Sequence, residues 1–422
     1  MDIYELDDVY GITRDLPLNY VERKRVDGRF KKNINRKKHI TIFGSSKQGK
    51  TSLKKHCLND DDYINIQCDN HFTLNDIHMN ILKRAGYKVE GSTKKTTGGK
   101  NKVIASIAAK LPVVGTKIST ELESDESTEK EYKGLELDPE DVNDIIEALD
   151  KIDFHKIIVL DDFHYLKNEI QQGFAFELKA FHESSKLCFV IIGVWMDENK
   201  LTVFNGDLSG RVVSINADEW DDESLREVVH KGEKLLNIKF CDSVVNSLLE
   251  KCYSNVYYVQ EVCHRICDEY NIDKTQDEFR IIGEKCNVDE IISEVVEEVA
   301  GRYNSFITQY ASGFQETELE MHKWLLYPIL TSNIEDITKG LSYRFVREVL
   351  QTYHPQGGNL NPGNLTQALK SVVSLQMTKN IRPIIIDYDE TNLILHIVDK
   401  GFIIWLQTKD RKELLELAGL PV

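Results

Sequence analysis

No apolar run in this sequence is long enough to cross a membrane; the longest, Phe189 to Met196, is the length of a single strand. The opening MDIYELDDVYG lacks the basic and then apolar order of a secretory leader, so export is not expected. The eight cysteines, at 57, 68, 188, 241, 252, 263, 267 and 286, include no C-x-x-C pair, and several fall in apolar periodic segments. They read as reduced core thiols of a cytoplasmic protein. Cys263 and Cys267 sit one helical turn apart beside His264, but no further ligands stand at zinc spacing. Positive charge is also short. With 53 Lys and Arg against 69 Asp and Glu the net charge is −16, the opposite of a protein that coats nucleic acid. Contact with DNA would have to be local, and the one basic stretch, Arg23 to Lys38, reads more simply as a solvated helix face. No internal repeat is visible.

What is present begins with Gly44-Ser45-Ser46-Lys47-Gln48-Gly49-Lys50-Thr51, which satisfies G-x-x-x-x-G-K-[ST]. It follows the apolar run Ile40 to Phe43 and leads into a helix-competent stretch that carries Ser52, the strand, loop and helix order that a phosphate-binding loop requires. Glycines let the backbone curl until successive N–H groups face a β-phosphate, and Lys50 adds a mobile charge. Thr51 offers its hydroxyl to Mg²⁺. A second apolar run, Ile157 to Leu160, ends in Asp161-Asp162, as a buried parallel strand opening on a nucleotide should. Asp161 would hold Mg²⁺ through water and Asp162 would polarise the attacking water.

The 422 residues predict two or three domains. Residues 1–38 form a lead whose second half, from Leu18 to His39, reads as a helix. Residues 39–218 carry five strands alternating with helices, the pattern of a three-layer α/β parallel sheet. Within them the stretch 91–134 changes to Lys, Thr, Gly, Ser and Glu and reads as an insertion, a mobile hairpin flanked by disordered arms. Residues 219–312 show three- and four-residue apolar spacing throughout, an all-helical lid. Residues 313–422 read as three helices followed by a hairpin turning near Asp389 to Asn392, the content of a winged helix.

In motif order the chain resembles the AAA+ ATPases and their STAND relatives, most closely archaeal-type and origin-recognition-like ATPases, from about Tyr20 onward. The resemblance implies ATP or ADP and Mg²⁺ as ligands and ATP hydrolysis as the activity. Tyr20 and Val21 open the box, YVERKRVD, that cradles adenine in that branch; GSSKQGKT corresponds to Walker A and IIVLDDFH to Walker B. Arg211, ahead of the fifth strand, stands where AAA+ proteins carry an arginine that reaches a neighbouring subunit's γ-phosphate. Val256 replaces the lid proline, and the fourth strand ends in Gly193-Val194-Trp195 with no Asn, Thr or Arg as sensor, leaving Asn199 as a weak substitute. The expected function is an ATP-binding and hydrolysing switch that couples nucleotide state to homo-oligomer formation or to a protein partner engaged through the winged helix or the insertion, in prokaryotic defence or signalling. The alternative is a DNA-binding initiator or transposition-type ATPase reading with Asn364, Thr366, Gln367, Lys370 and Ser371. The acidic DYDET turn disfavours DNA.

Overall fold

In a computed structural model, residues 2–13, 15–90, 103–107, 135–315 and 317–422 are described. Five strands pair in parallel in the order Tyr63–Gln67, Ile157–Asp161, Phe189–Ile192, His39–Phe43, Val212–Asn216. The runs 39–43 and 189–192 are buried at every position, because helices cover both faces and leave no solvent side on which polar residues could alternate. Odd and even positions therefore serve two cores. Ile40, Ile42, Val159 and Val190 pack with Phe30 and Leu53 on one face. Ile158, Leu160, Phe189 and Ile191 pack with Ile81, Phe174, Leu178 and Phe181 on the other. All five strands expected from the sequence are present, and their C-terminal ends lie together at the phosphate loop.

Three expectations are corrected. The helix read from Leu18 to His39 forms only over Asp27–Asn35. Asp27 explains the late start: its carboxylate accepts the Arg23 N–H at 2.9 Å and the Tyr20 hydroxyl at 2.5 Å, holding the preceding segment outside the helix. The segment 91–134 is not wholly apart from the fold. Val103–Ile107 is the middle strand of an antiparallel sheet with Tyr87–Glu90 and Leu135–Leu137, and Ala105 is buried in the core beside Leu137 and Tyr87. The rest of that segment lies outside the described residues. The long helical pattern from Val288 to Ala311 divides into Val288–Glu297 and Ala300–Ala311.

Beyond the sheet, the helices Asp222–Leu236, Asp242–Lys251 and Val256–Glu269 precede that divided pair. The C-terminal part packs Met321–Thr331, Tyr343–Tyr353, Pro362–Lys370 and Val372–Thr378 with a three-stranded antiparallel sheet of Leu341–Ser342, Ile394–Ile397 and Ile386–Asp389. The hairpin turns between Asp389 and Ile394. One apolar core runs without interruption from Leu6 and Tyr10 through Val259 and Phe306 to Phe402, Trp405 and Leu420. The region 219–312, expected to be all-helical, also holds a two-stranded parallel sheet of Ile238–Phe240 and Arg280–Ile282, and it is joined to the C-terminal region by shared burial and by ion pairs such as Arg302–Asp399.

Candidate nucleotide site

The loop begins where two strand ends are stapled together. Gly193 donates its N–H to the Ile42 carbonyl at 3.0 Å, and Gly44 donates to the Trp195 carbonyl at 3.1 Å. Gly44 has φ of 133°, and a side chain there would place its Cβ 2.4 Å from Asp218 Oδ1. That carboxylate accepts the Ser45 N–H at 2.7 Å and the Ser45 hydroxyl at 2.5 Å, fixing the first turn of the loop. Lys47 and Gly49 take φ of 62° and 76°, so the chain reverses and enters the Lys50–Cys57 helix with that helix's free N–H groups pointing into the loop. Gln48 is buried, its side chain donating to the Ser254 carbonyl at 3.3 Å.

Lys50 is buried inside the curl and donates to the Gly44 and Ser45 carbonyls at 3.1 and 2.5 Å. Burial pushes its ammonium down to about 8, while Asp218, Asp162 and Asp161 act in the opposite direction. Asp161 ends its strand, and Oδ1 accepts the Asp162 N–H at 3.1 Å. Asp162 adopts a left-handed φ of 55° and accepts from the Gln67 side-chain amide. Burial, and then the neighbouring Asp161 charge, raise the Asp162 carboxyl above its usual range. The two carboxylates and the loop lysine therefore meet at one end of the sheet. Thr51 is exposed in the first turn of the helix. Hard oxygen donors of this kind, one hydroxyl and two carboxylates, suit Mg²⁺ shared with phosphate oxygens.

A cavity of about 220 Å³ adjoins the loop, and Tyr20, Val21, Gly49, Ser52, Trp220 and Tyr257 line it. The two residues expected beside the adenine are thus at its wall. Behind them Asn19 and Gln260 exchange side-chain amide hydrogen bonds at 2.7 and 2.9 Å, both buried. Arg23 stacks its guanidinium 4.0 Å over the Trp220 ring and donates to the Ala217 carbonyl at 2.8 Å. Val256, in the place of the lid proline, lines the same cavity. Trp220, Tyr257 and Gln260 were not singled out from the sequence, although Val256, Tyr257 and Gln260 share one helix whose three- and four-residue spacing was visible.

The C-terminal region reaches this loop directly. Ser46 donates its N–H to the Val398 carbonyl at 2.8 Å. Lys47 lies 3.6 Å over the Tyr257 ring. Asp399, next to Val398, is buried and pairs with Arg302, with the Tyr303 hydroxyl 3.4 Å away. Half-buried Lys400 sits near Asp218, and burial lowers its ammonium. The hairpin packs on the loop after the fourth strand: Asp387 accepts the Met196 N–H at 3.2 Å, and Thr391 donates to Asp197 at 2.7 Å.

Three further residues stand elsewhere or differently. Arg211 immediately precedes the Val212–Asn216 strand, whose Val212 is level with His39, and so stands at the opposite end of the sheet from the loop, where Phe43 pairs with Asn216. It is held by Glu183 at 2.7 Å and by the Asp207 carbonyl. Asn199, the substitute sensor, is exposed. His164 was missed. It is buried two residues past Asp162 with neither ring nitrogen hydrogen-bonded among the described residues, and burial keeps it neutral.

This sheet order, loop and carboxylate pair define the fold of the AAA+ P-loop ATPases. No protein-family model matches the sequence, and no curated protein is similar to it. Among solved structures, the chain is similar to the Walker-type ATPase PABY2304 of Pyrococcus abyssi at TM-score 0.50 and 12% identity, over 95% of this chain and 100% of that one. At that identity the likeness is one of fold. Lower similarity extends to the Orc1 protein of Aeropyrum pernix, solved in complex with DNA, at TM-score 0.44 and 11% identity over 98% and 97% of the two chains. A STAND protein with a tetratricopeptide repeat sensor, PH0952 of Pyrococcus horikoshii, follows at 0.37 and 13%, over 94% of this chain and 44% of that one.

Proposed function

We propose that the chain binds and hydrolyses ATP and works as a switch in which nucleotide state governs the hold of the C-terminal region on the phosphate loop. The observation that carries this reading is the Ser46 N–H bound to the Val398 carbonyl, with Asp399 anchored by Arg302 one residue further on. A phosphate group arriving in the loop meets the same few residues that hold the C-terminal region, so binding and release are energetically linked. Lys50 would stabilise charge on the β- and γ-phosphates, and Asp162, whose carboxyl is raised toward neutrality, would align and polarise the attacking water. Thr51 and Asp161 would hold Mg²⁺, which supplies neutralisation of the phosphate oxygens. Tyr20, Val21 and Trp220 would bound the base.

Lys50→Ala should abolish ATP binding and turnover together, whereas Asp162→Ala should retain ATP and lose turnover. Wild-type affinity in Lys50→Ala would refute the loop assignment. We read the C-terminal region as a winged helix that docks protein. The Pro362–Lys370 helix ends in Lys370, paired with Glu390 of the hairpin, and Ser371 bonds His322 at 2.9 Å. The following Val372–Thr378 helix buries Met377 against Val194 and Val398. Of the residues a DNA reader would use, Lys370 and Ser371 are thus partnered within the chain, while Gln367 is exposed. Assembly into a homo-oligomer through Arg211, and a place in prokaryotic defence or signalling, are the roles the STAND resemblance implies within this reading.

A further inference from the structure

Lys54 lies one helical turn beyond Lys50, on the helix that the phosphate loop starts. A lysine there would ordinarily seek solvent, yet this one is buried at 5% exposure. Its ammonium donates to Asn65 Oδ1 at 2.7 Å and to Asp161 Oδ2 at 3.2 Å, and it lies 5.5 Å over the Tyr63 ring. Asn65 and Tyr63 project from the strand beside the one that Asp161 ends. The cradle is specific: an amide oxygen, an aromatic face and a carboxylate around one cation. Asp161 has its other oxygen on the Asp162 N–H. Both oxygens of the carboxylate expected to serve the metal are therefore already engaged, one of them by a full positive charge.

We propose that Lys54 is a positioning residue that acts as a built-in counterion of Asp161, so that a divalent cation at the site must compete with a buried ammonium for that carboxylate. The proposal rests on the reading of the loop as a nucleotide site and goes beyond it by setting the metal requirement. When a divalent cation takes Asp161, Asn65 and Tyr63 still hold the ammonium, so Lys54 stays in place as a nearby like charge. The result is a site tuned for weak metal affinity, in which nucleotide without metal is tolerated.

The test uses the full chain, a fluorescent ATP analogue and Mn²⁺ followed by electron paramagnetic resonance. Lys54→Gln keeps an amide donor on the side chain and removes the charge; it should lower the half-saturating Mn²⁺ concentration about tenfold or more, since removing one unit charge beside a divalent ion acts at short range in a partly buried site. Lys54→Arg should restore the wild-type value, an outcome a purely structural role would not give. Lys54→Met provides a second neutral variant with a different shape and should shift the midpoint in the same direction. An unchanged or higher Mn²⁺ midpoint in both neutral variants overturns the proposal. Analogue binding in EDTA reports on the phosphate loop alone, so its loss in the wild type would count against the site itself.

Discussion

Asp399→Asn tests the proposed switch where the C-terminal region meets the phosphate loop. The substitution is nearly isosteric, and an Asn side chain can still accept the Gly401 N–H at the start of the Lys400–Thr408 helix, as Asp399 Oδ1 does at 3.0 Å. What is removed is the charge opposite Arg302. The Asp399 side chain is 7% exposed and the Arg302 side chain 24%. Breaking a fully buried pair costs about 3–5 kcal/mol, because the remaining charge is left uncompensated. Arg302 keeps enough contact with water to recover part of that, which brings the loss to roughly 2–3 kcal/mol. The overall core keeps Phe402, Trp405 and their neighbours buried, so the loss falls mainly on the local closure that seats Val398 on Ser46. At 1.4 kcal/mol per factor of ten, closure should weaken by roughly 30- to 150-fold. Release of a preloaded fluorescent nucleotide, chased with excess ATP in stopped flow, should accelerate by that order. A release rate within twofold of the wild type, with unchanged proteolysis of the C-terminal region, would refute the link between nucleotide release and the hold of the C-terminal region on the loop.

The pH dependence of nucleotide binding should follow Lys50. Burial depresses its ammonium to about 8, so the charged form that meets phosphate is fully present below that value and is lost as pH rises through it. Affinity for the ATP analogue should fall about tenfold from pH 7 to pH 9 in the wild type and stay flat in Lys50→Arg; a flat wild-type profile would show that the lysine is not the group responsible. Arg211→Ala should leave monomer ATP affinity unchanged while lowering turnover by roughly 10³–10⁵, since the side chain is held by Glu183 at the far end of its own sheet. Mixing Arg211→Ala with Asp162→Ala should restore some turnover at mixed interfaces. No recovery, with only monomers in ATP by mass measurement, would sink the role between subunits.

The phosphate loop, the acidic strand end and the five core strands were legible in the amino-acid sequence because each is encoded by neighbours along the chain. Glycine spacing sets the curl of the loop, and unbroken apolar runs mark strands buried on both faces. The hairpin turning near Asp389 was also readable, whereas the helix expected across Ser371 divides there into Pro362–Lys370 and Val372–Thr378. Less visible was the truncation of the helix before Asp27, because the carboxylate that stops it is itself a residue of the basic stretch that looked helical. The strand Val103–Ile107 was hidden in a segment whose surrounding composition is polar and glycine-containing; its pairing with Tyr87–Glu90 and Leu135–Leu137 makes it part of the fold.

Sequence by itself therefore determined the phosphate-loop motif and the layer architecture, which depend on eight consecutive residues and on local periodicity. Tertiary structure decided what surrounds the loop. Ser46 meets Val398, Lys47 meets Tyr257, and Lys54 meets Asp161 only when segments distant in the chain pack together. Such contacts leave no periodic trace, because each side chain looks locally like an ordinary loop or helix residue and acquires its partner through the packing of elements encoded elsewhere.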